Sequence, residues 1–130
     1  MASSNQPQGV KFAETHEWVR VDGDEAYIGI SNYAQRELGE IVYVNVEGDA
    51  GRHFAAGEKF GEIDSVKSTS ELFVPVSGDL VRVNETLQDH PEKVNDDPYG
   101  DGWMIVLRMS DPSELEKLMD AGAYASFAGE

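Results

Sequence analysis

Apolar positions along this chain fall in short runs of four to seven residues separated by glycine, proline and acidic clusters, the signature of a β-dominated fold. Phe12 to Val21 leads into a first strand, Asp22-Gly23-Asp24 turns it, and Glu25 to Ser31 returns, giving a hairpin. Ser31 or Asn32 then caps a short helix over Tyr33 to Leu38 that Gly39 ends. Ile41 to Val46 is β-branched and aromatic and predicts a strand. Gly48 to Gly57 is predicted as a loop.

Two further strand-like runs, Phe60 to Ile63 and Leu72 to Val76, enclose the polar segment Asp64-Ser65-Val66-Lys67-Ser68. This predicts a hairpin, yet its tip lacks the Asn-Gly or Asp-Gly pair that tight hairpins favour. Downstream, Pro91 opens a helical turn in a polar stretch, and Asp96 to Gly102 is dense turn chemistry. Trp103 to Arg108 is apolar almost throughout, as in a strand covered on both faces. Asp111-Pro112-Ser113-Glu114 has the form of a capping box, predicting a helix with Leu115, Leu118 and Met119 on one face and Gly122 at its end. The tail from Ala123 to Phe127 offers Tyr124 and Phe127 to pack back on the body.

One internal match stands out. Gly39-Glu40-Ile41-Val42-Tyr43-Val44-Asn45 parallels Gly78-Asp79-Leu80-Val81-Arg82-Val83-Asn84. Two copies are too few for a solenoid, and they predict two similar half-sheets related by an approximate two-fold.

Length and composition narrow the class. The 130 residues suit one domain, read as 11–130, after a polar segment 1–10 expected to be disordered. That segment has neither the basic start nor the apolar core of a targeting peptide. No run approaches membrane-spanning length. The absence of cysteine removes disulfides, thiolate metal sites and cysteine nucleophiles. A net charge of -15 disfavours nucleic acid and anionic membranes as partners and suits proteins with positive faces.

Catalytic signatures are missing. His16, His53 and His90 are far apart, none in a two-histidine metal spacing, and each is read as a surface or packing residue. Neither a nucleophile elbow nor a phosphate loop is present. The residue that stands out is Lys67, a lone amine between small hydroxyl residues at a hairpin tip. It is either a solvated turn lysine or a site of covalent modification, for which an exposed turn on a rigid scaffold gives a modifying enzyme access.

His16-Glu17-Trp18, Gly29 to Gln35, Leu38 to Val44, Asp64 to Ser68, Pro75 to Gly78 and Asn95 to Trp103 together resemble the H-protein family of the glycine cleavage system. The resemblance runs from about Lys11 to Phe127. It implies a barrel-sandwich hybrid of two small antiparallel sheets, with short peripheral helices that include a C-terminal one. It further implies a non-catalytic, monomeric carrier with lipoate in amide linkage on Lys67, and Asp64, Ser65, Val66 and Ser68 as the turn that a lipoate ligase or lipoyl transferase reads.

In that family the arm takes an aminomethyl group from glycine decarboxylase (P protein), passes it to the aminomethyltransferase (T protein), and is reoxidised by dihydrolipoyl dehydrogenase (L protein). The resemblance implies a bacterial cytoplasmic protein, with a mature mitochondrial form as the other setting. A loaded arm is prone to hydrolysis, so it is expected to fold into a water-poor groove of its carrier. There its ammonium needs an anionic partner, for which Glu17 and Glu71 are the candidates, with Thr15 as a hydrogen-bond acceptor. The alternative for both glutamates is that they are solvated strand charges.

Two departures from the family pattern appear: Asp64 stands where glutamate is commoner, and the loop at Asp49-Ala50 lacks the usual Leu-Pro. Biotin carriers place methionine on both sides of their lysine, where this chain has Val66 and Ser68. The lipoyl domains of 2-oxoacid dehydrogenases sit in longer chains with flexible linkers. An acidic β interaction domain with an unmodified Lys67 is the remaining alternative.

Overall fold

A computed structural model describes residues 9–129. The expectation of disorder over 1–10 therefore lies outside the described residues, except at Gly9 and Val10; Val10 is already buried in the first strand. Among the described residues, nine strands form two antiparallel sheets. They are β1 (Val10–Phe12), β2 (Glu17–Asp22), β3 (Glu25–Ile30), β4 (Ile41–Val46), β5 (His53–Phe54), β6 (Lys59–Ser65), β7 (Thr69–Phe73), β8 (Gly78–Val83) and β9 (Ile105–Met109). Six strands run in the order β1-β2-β3-β9-β8-β5 and three in the order β4-β6-β7. The fold is thus the mainly β, two-sheet architecture expected, although the sheets are unequal.

The main core lies where the inward residues of both sheets meet: Ile28, Leu80, Ile105 and Leu107 from one, Ile41, Val44, Ile63 and Leu72 from the other. Ile105, Val106 and Leu107 are all fully buried, so β9 is covered on both faces as its unbroken apolar run predicts. A second cluster gathers Val10, Phe12, Trp18 and Tyr124 under the C-terminal segment. Trp18 faces Gly29 across β2 and β3, and a Cβ on Gly29 would come within 2.8 Å of the indole ring. Glycine is required there for room.

The internal match has a structural counterpart. Its copies fall in different sheets, as β4 and β8, and each strand is bulged at the same place. Register shifts between Ile41 and Tyr43 in one and between Leu80 and Arg82, their matched positions, in the other.

Helix α1 (Asn32–Leu38) follows its predicted course: Ser31 caps it by accepting the Ala34 N–H at 3.0 Å, and Gly39 ends it. Short helices α2 (Thr86–Asp89) and α3 (Lys93–Asp96) flank Pro91. Three expectations are corrected. Phe12 to Val21 is two strands, because the chain reverses at Ala13–His16 with His16 at φ 80° and β1 pairs back on β2. The loop 48–57 contains β5, anchored by the fully buried Phe54.

The third correction concerns the C-terminus. Pro112–Lys117 is a 3-10 helix that stops at the extended Leu118, because Met119 exchanges backbone hydrogen bonds with Phe12 at 2.8 and 2.9 Å. Asp111 caps it, but Glu114 does not complete the capping box: its carboxylate accepts from the N–H and hydroxyl of Ser77. The C-terminal α-helix, α4 (Ala121–Ala128), begins beyond that point with Asp120 as its cap and carries Gly122 inside it. Tyr124 is fully buried, whereas Phe127 is half exposed.

Candidate functional site

The β6–β7 hairpin positions Lys67. Its strands extend closer to the tip than predicted, leaving Val66, Lys67 and Ser68 as the connection, all exposed. The tip is built around one hydroxyl. Ser65 Oγ accepts the backbone N–H groups of Lys67 and Ser68, each at 3.1 Å, while Ser65 N–H donates to the Ser68 carbonyl at 2.8 Å. A serine turn of this kind does the work of an Asn-Gly pair without a left-handed residue. Among the described residues His16 is the only non-glycine with positive φ, so the tip carries no such strain.

Two further bonds stiffen it. Thr69 Oγ1 donates to Asp64 Oδ1 at 2.8 Å, and Val66 N–H donates to the Glu40 carbonyl at 3.0 Å, tying the tip to the start of β4. The ligase-turn candidates Asp64, Ser65, Val66 and Ser68 therefore form one unit with Lys67. The lysine stem passes over Gly39, where a Cβ would stand 3.2 Å from Lys67 Cε. Besides ending α1 and opening the first copy of the internal match, Gly39 at φ 84° leaves space for the lysine.

Beside the tip, a cleft of about 320 Å³ opens between the start of β2, α1 and β7. Ile30, Leu38, Ile63 and Leu72 supply apolar walls, and Thr15, Glu17 and Glu71 supply polar groups. The structure thus brings the three proposed arm contacts to one cavity, on unequal terms. Glu17 is 1% exposed. Its Oε2 accepts the Phe73 N–H at 3.0 Å, and Thr15 Oγ1 donates to its Oε1. Burial pushes the Glu17 carboxyl up to about 7, with those hydrogen bonds opposing the shift. The Thr15 hydroxyl spends its hydrogen on Glu17, leaving its lone pairs free to accept.

Glu71 is exposed and ion-paired with Lys59 at 3.6 Å, so its charge is already shared at the cleft mouth. Lys59 also reaches Glu62 at 3.0 Å and Glu47 at 3.4 Å.

His16 is a residue sequence reasoning undervalued. It lines the cleft next to Glu17, and its Nδ1 lies 2.7 Å from Tyr124 Oη, which lies 2.6 Å from Ser31 Oγ. Partial burial holds the imidazole below its ordinary pKa, favouring the neutral ring. Its place beside Glu17 in the His-Glu-Trp motif was the available signal; its partner, 108 residues away, was not readable.

A larger concavity, about 910 Å³, lies at the opposite end of β4 and is lined by Val46, Asp49, Arg82 and Glu85 among others. It is remote in register from the tip, since Val46 pairs with Gly61 while Ile41 pairs with Ser65.

Comparison with known proteins decides the family. The model of the glycine cleavage H-protein family matches residues 10–130. The chain belongs to that family. Similar relatives are the glycine cleavage system H proteins of Halalkalibacterium halodurans, 50% identical over 127 residues and 98% of both chains, and of Bacteroides thetaiotaomicron, 49% identical over 92% of this chain and 94% of the relative. The crystal structure of the H protein from Mycobacterium marinum superposes with a TM-score of 0.86 at 32% identity, covering 95% of this chain and 99% of that one. Membership in the family places the chain in the glycine cleavage system as its H component. Among the described residues, no helix is long and apolar enough to cross a membrane.

Proposed function

We propose that this chain is the lipoyl carrier of the glycine cleavage system, with lipoate joined by an amide to Lys67. The observation that carries the proposal is an exposed, hydroxyl-pinned lysine beside an apolar cleft with a buried carboxylate in its wall. Once attached, lipoate supplies a dithiolane on a flexible arm that accepts the aminomethyl group of glycine from the P protein, yields it to the T protein, and is reoxidised by the L protein.

The chain's own residues supply placement. Extended, a lipoylated lysine reaches roughly 12 to 14 Å from the backbone at standard bond lengths, enough to enter a partner's channel or fold back into the carrier's own cleft. Ser65 and the Val66–Glu40 backbone bond hold the tip while the arm moves. Gly39 lets the lysine stem turn toward the cleft. There Ile30, Leu38, Ile63 and Leu72 exclude water, and the ionised Glu17 neutralises the ammonium of a loaded arm. A cation in the cleft favours the Glu17 carboxylate, so loading and deprotonation reinforce each other.

Modification at the tip requires the ligase or lipoyl transferase to read Asp64, Ser65, Val66 and Ser68. The arrangement provides binding and shelter and leaves the chemistry to cofactor and partners, which makes the chain a carrier and not a catalyst. Bacterial relatives favour a cytoplasmic setting.

The proposal is tested by glycine–bicarbonate exchange, measured with a glycine decarboxylase and this protein expressed in a lipoylating host. Exchange should depend on the carrier and be lost in Lys67→Arg. Full exchange with Lys67→Arg would reject the assignment.

A further inference from the structure

Five large hydrophobic residues are exposed among those described: Val21, Val42, Tyr43, Val66 and Phe127. Phe127 has ring neighbours in His16 and Tyr124, which accounts for its position. Val42, Tyr43 and Val66 are different, because register gathers them beside Lys67. Tyr43 pairs with Asp64, Ile41 with Ser65, and the Val66 N–H bonds the Glu40 carbonyl.

The bulge in β4 explains how two consecutive residues face solvent. In a regular strand Val42 and Tyr43 would point to opposite faces, whereas the register shift between Ile41 and Tyr43 leaves them 47% and 46% exposed. No hydrogen bond or ring contact ties the Tyr43 side chain to another described residue. Strand β4 is one of the two edge strands of its sheet, and its outer backbone edge is covered where Asn95 accepts the Ile41 N–H and Gln88 donates to the Val44 carbonyl, so the strip offers side chains and not a strand to extend.

The second copy of the repeat provides an internal control. Arg82 occupies the position matched to Tyr43, at the same bulge, and is tied to its own sheet through Tyr27 Oη at 2.7 Å and Glu25 at 3.6 Å. Only the copy next to the lysine exposes an uncommitted aromatic ring. Singly exposed apolar residues need no explanation, but a cluster at the one place that every modifying or receiving enzyme must approach does. Its surroundings are acidic: Glu37 and Glu40 are exposed and enter no ion pair among the described residues, and Lys67 loses its own charge once acylated.

We propose that Val42, Tyr43 and Val66 form a docking strip for the enzymes that admit the Lys67 arm. The matching surface is a protein patch with an apolar socket, rimmed by lysine and arginine, at the mouth of the channel the arm enters. Tyr43 is the anchor, with its ring in the socket and its hydroxyl free for a rim partner; exposed tyrosines commonly play this part at interfaces. Glu37 and Glu40 supply charge complementarity that speeds encounter and weakens with salt. The inference rests on the carrier reading above.

The test uses the double variant V42S/Y43S and the single Y43R, which installs the residue of the second copy. Both proteins are lipoylated to completion, with intact mass as the check, and assayed with the glycine-decarboxylating and aminomethyl-transferring enzymes of the system. The KM for the carrier should rise about tenfold or more with at least one enzyme, while kcat changes by less than about twofold. Unlipoylated wild-type protein should compete in the same assay and the unlipoylated double variant should not, a readout independent of the arm. Wild-type affinity should fall with ionic strength. Unchanged KM with both enzymes, for variants that carry the lipoyl mass and melt like wild type, overturns the docking strip alone. Failure of wild-type protein to gain that mass overturns the carrier reading instead.

Discussion

The carboxylate of Glu17 on β2 accepts the backbone N–H of Phe73 on β7 at 3.0 Å, joining the wall of the cleft to the hairpin that bears Lys67. The bond orders the cleft, and burying the charge is costly. Glu17 has a folded pKa of about 7, raised by burial above its ordinary 4.5. Between these values the unfolded chain releases a proton that the folded chain keeps, so this group's contribution to stability falls as pH rises from 4.5 to 7. At higher pH the penalty levels off at about 3 kcal/mol.

Glu17→Gln keeps the shape, with its carbonyl accepting from Phe73 and its amide donating to Thr15. The variant should therefore be more stable than wild type at pH 8, by about 1 to 3 kcal/mol, with the gain vanishing near pH 4.5. Denaturant melts across this range check the sign. A gain at pH 4.5 as large as that at pH 8 would contradict the buried, ionisable Glu17.

The same group bears on the loaded arm. If ionised Glu17 holds its ammonium, release of ammonia and formaldehyde from the loaded wild-type protein should rise, relative to Glu17→Gln at each pH, only at a pH below the empty cleft's value of about 7, because the bound cation keeps the carboxylate ionised further down the scale. Glu17→Gln should decay several-fold faster than wild type at pH 8. Glu71→Gln should change little, because Glu71 is exposed and shared with Lys59. Identical pH profiles for wild type and Glu17→Gln would remove Glu17 from the arm site.

Tyr124→Phe keeps the ring stacked on Phe12, whose centroid lies 4.3 Å away at an interplanar angle of 9°, and deletes only the hydroxyl between His16 and Ser31. The loss should be about 1 to 2 kcal/mol, measured by denaturant unfolding. Faster amide exchange in α4 and at His16 should accompany it, since that hydroxyl ties the last helix to the turn before Glu17.

Gly39→Ala places a Cβ 3.2 Å from Lys67 Cε on a residue at φ 84°. A destabilisation of about 1 to 3 kcal/mol follows from the backbone alone, since φ 84° with ψ -153° is a region that essentially only glycine occupies. Slower lipoylation of Lys67, followed by mass, should accompany it as the stem is displaced. Ser65→Ala should also slow lipoylation, by freeing the Lys67 and Ser68 amides, with protection against hydrogen exchange lost at both.

Local chemistry made much of this fold legible. Ser31 and Gly39 bracket α1 as their types dictate, and the unbroken apolar run at Ile105–Leu107 marks a strand covered on both faces. What failed depended on partners distant in sequence. The proline-led helix at Pro112 stops short because Met119 bonds Phe12, and Glu114 abandons its capping box for Ser77. At the site, Lys67, the proposed tether, and Glu17 stood out through their motifs. The His16–Tyr124 link and the Lys67–Gly39 contact did not, because neither residue pair is close along the chain.

The central claim is that one amine, Lys67, is the tether, and intact mass with peptide mapping after treatment with lipoate ligase tests it most directly. Of the five lysines in the sequence, Lys67 alone should acquire a lipoyl group, one per chain, and Lys67→Arg should acquire none. A folded wild-type protein that a competent ligase leaves unmodified, or modifies at Lys11, Lys59, Lys93 or Lys117 instead, would contradict it.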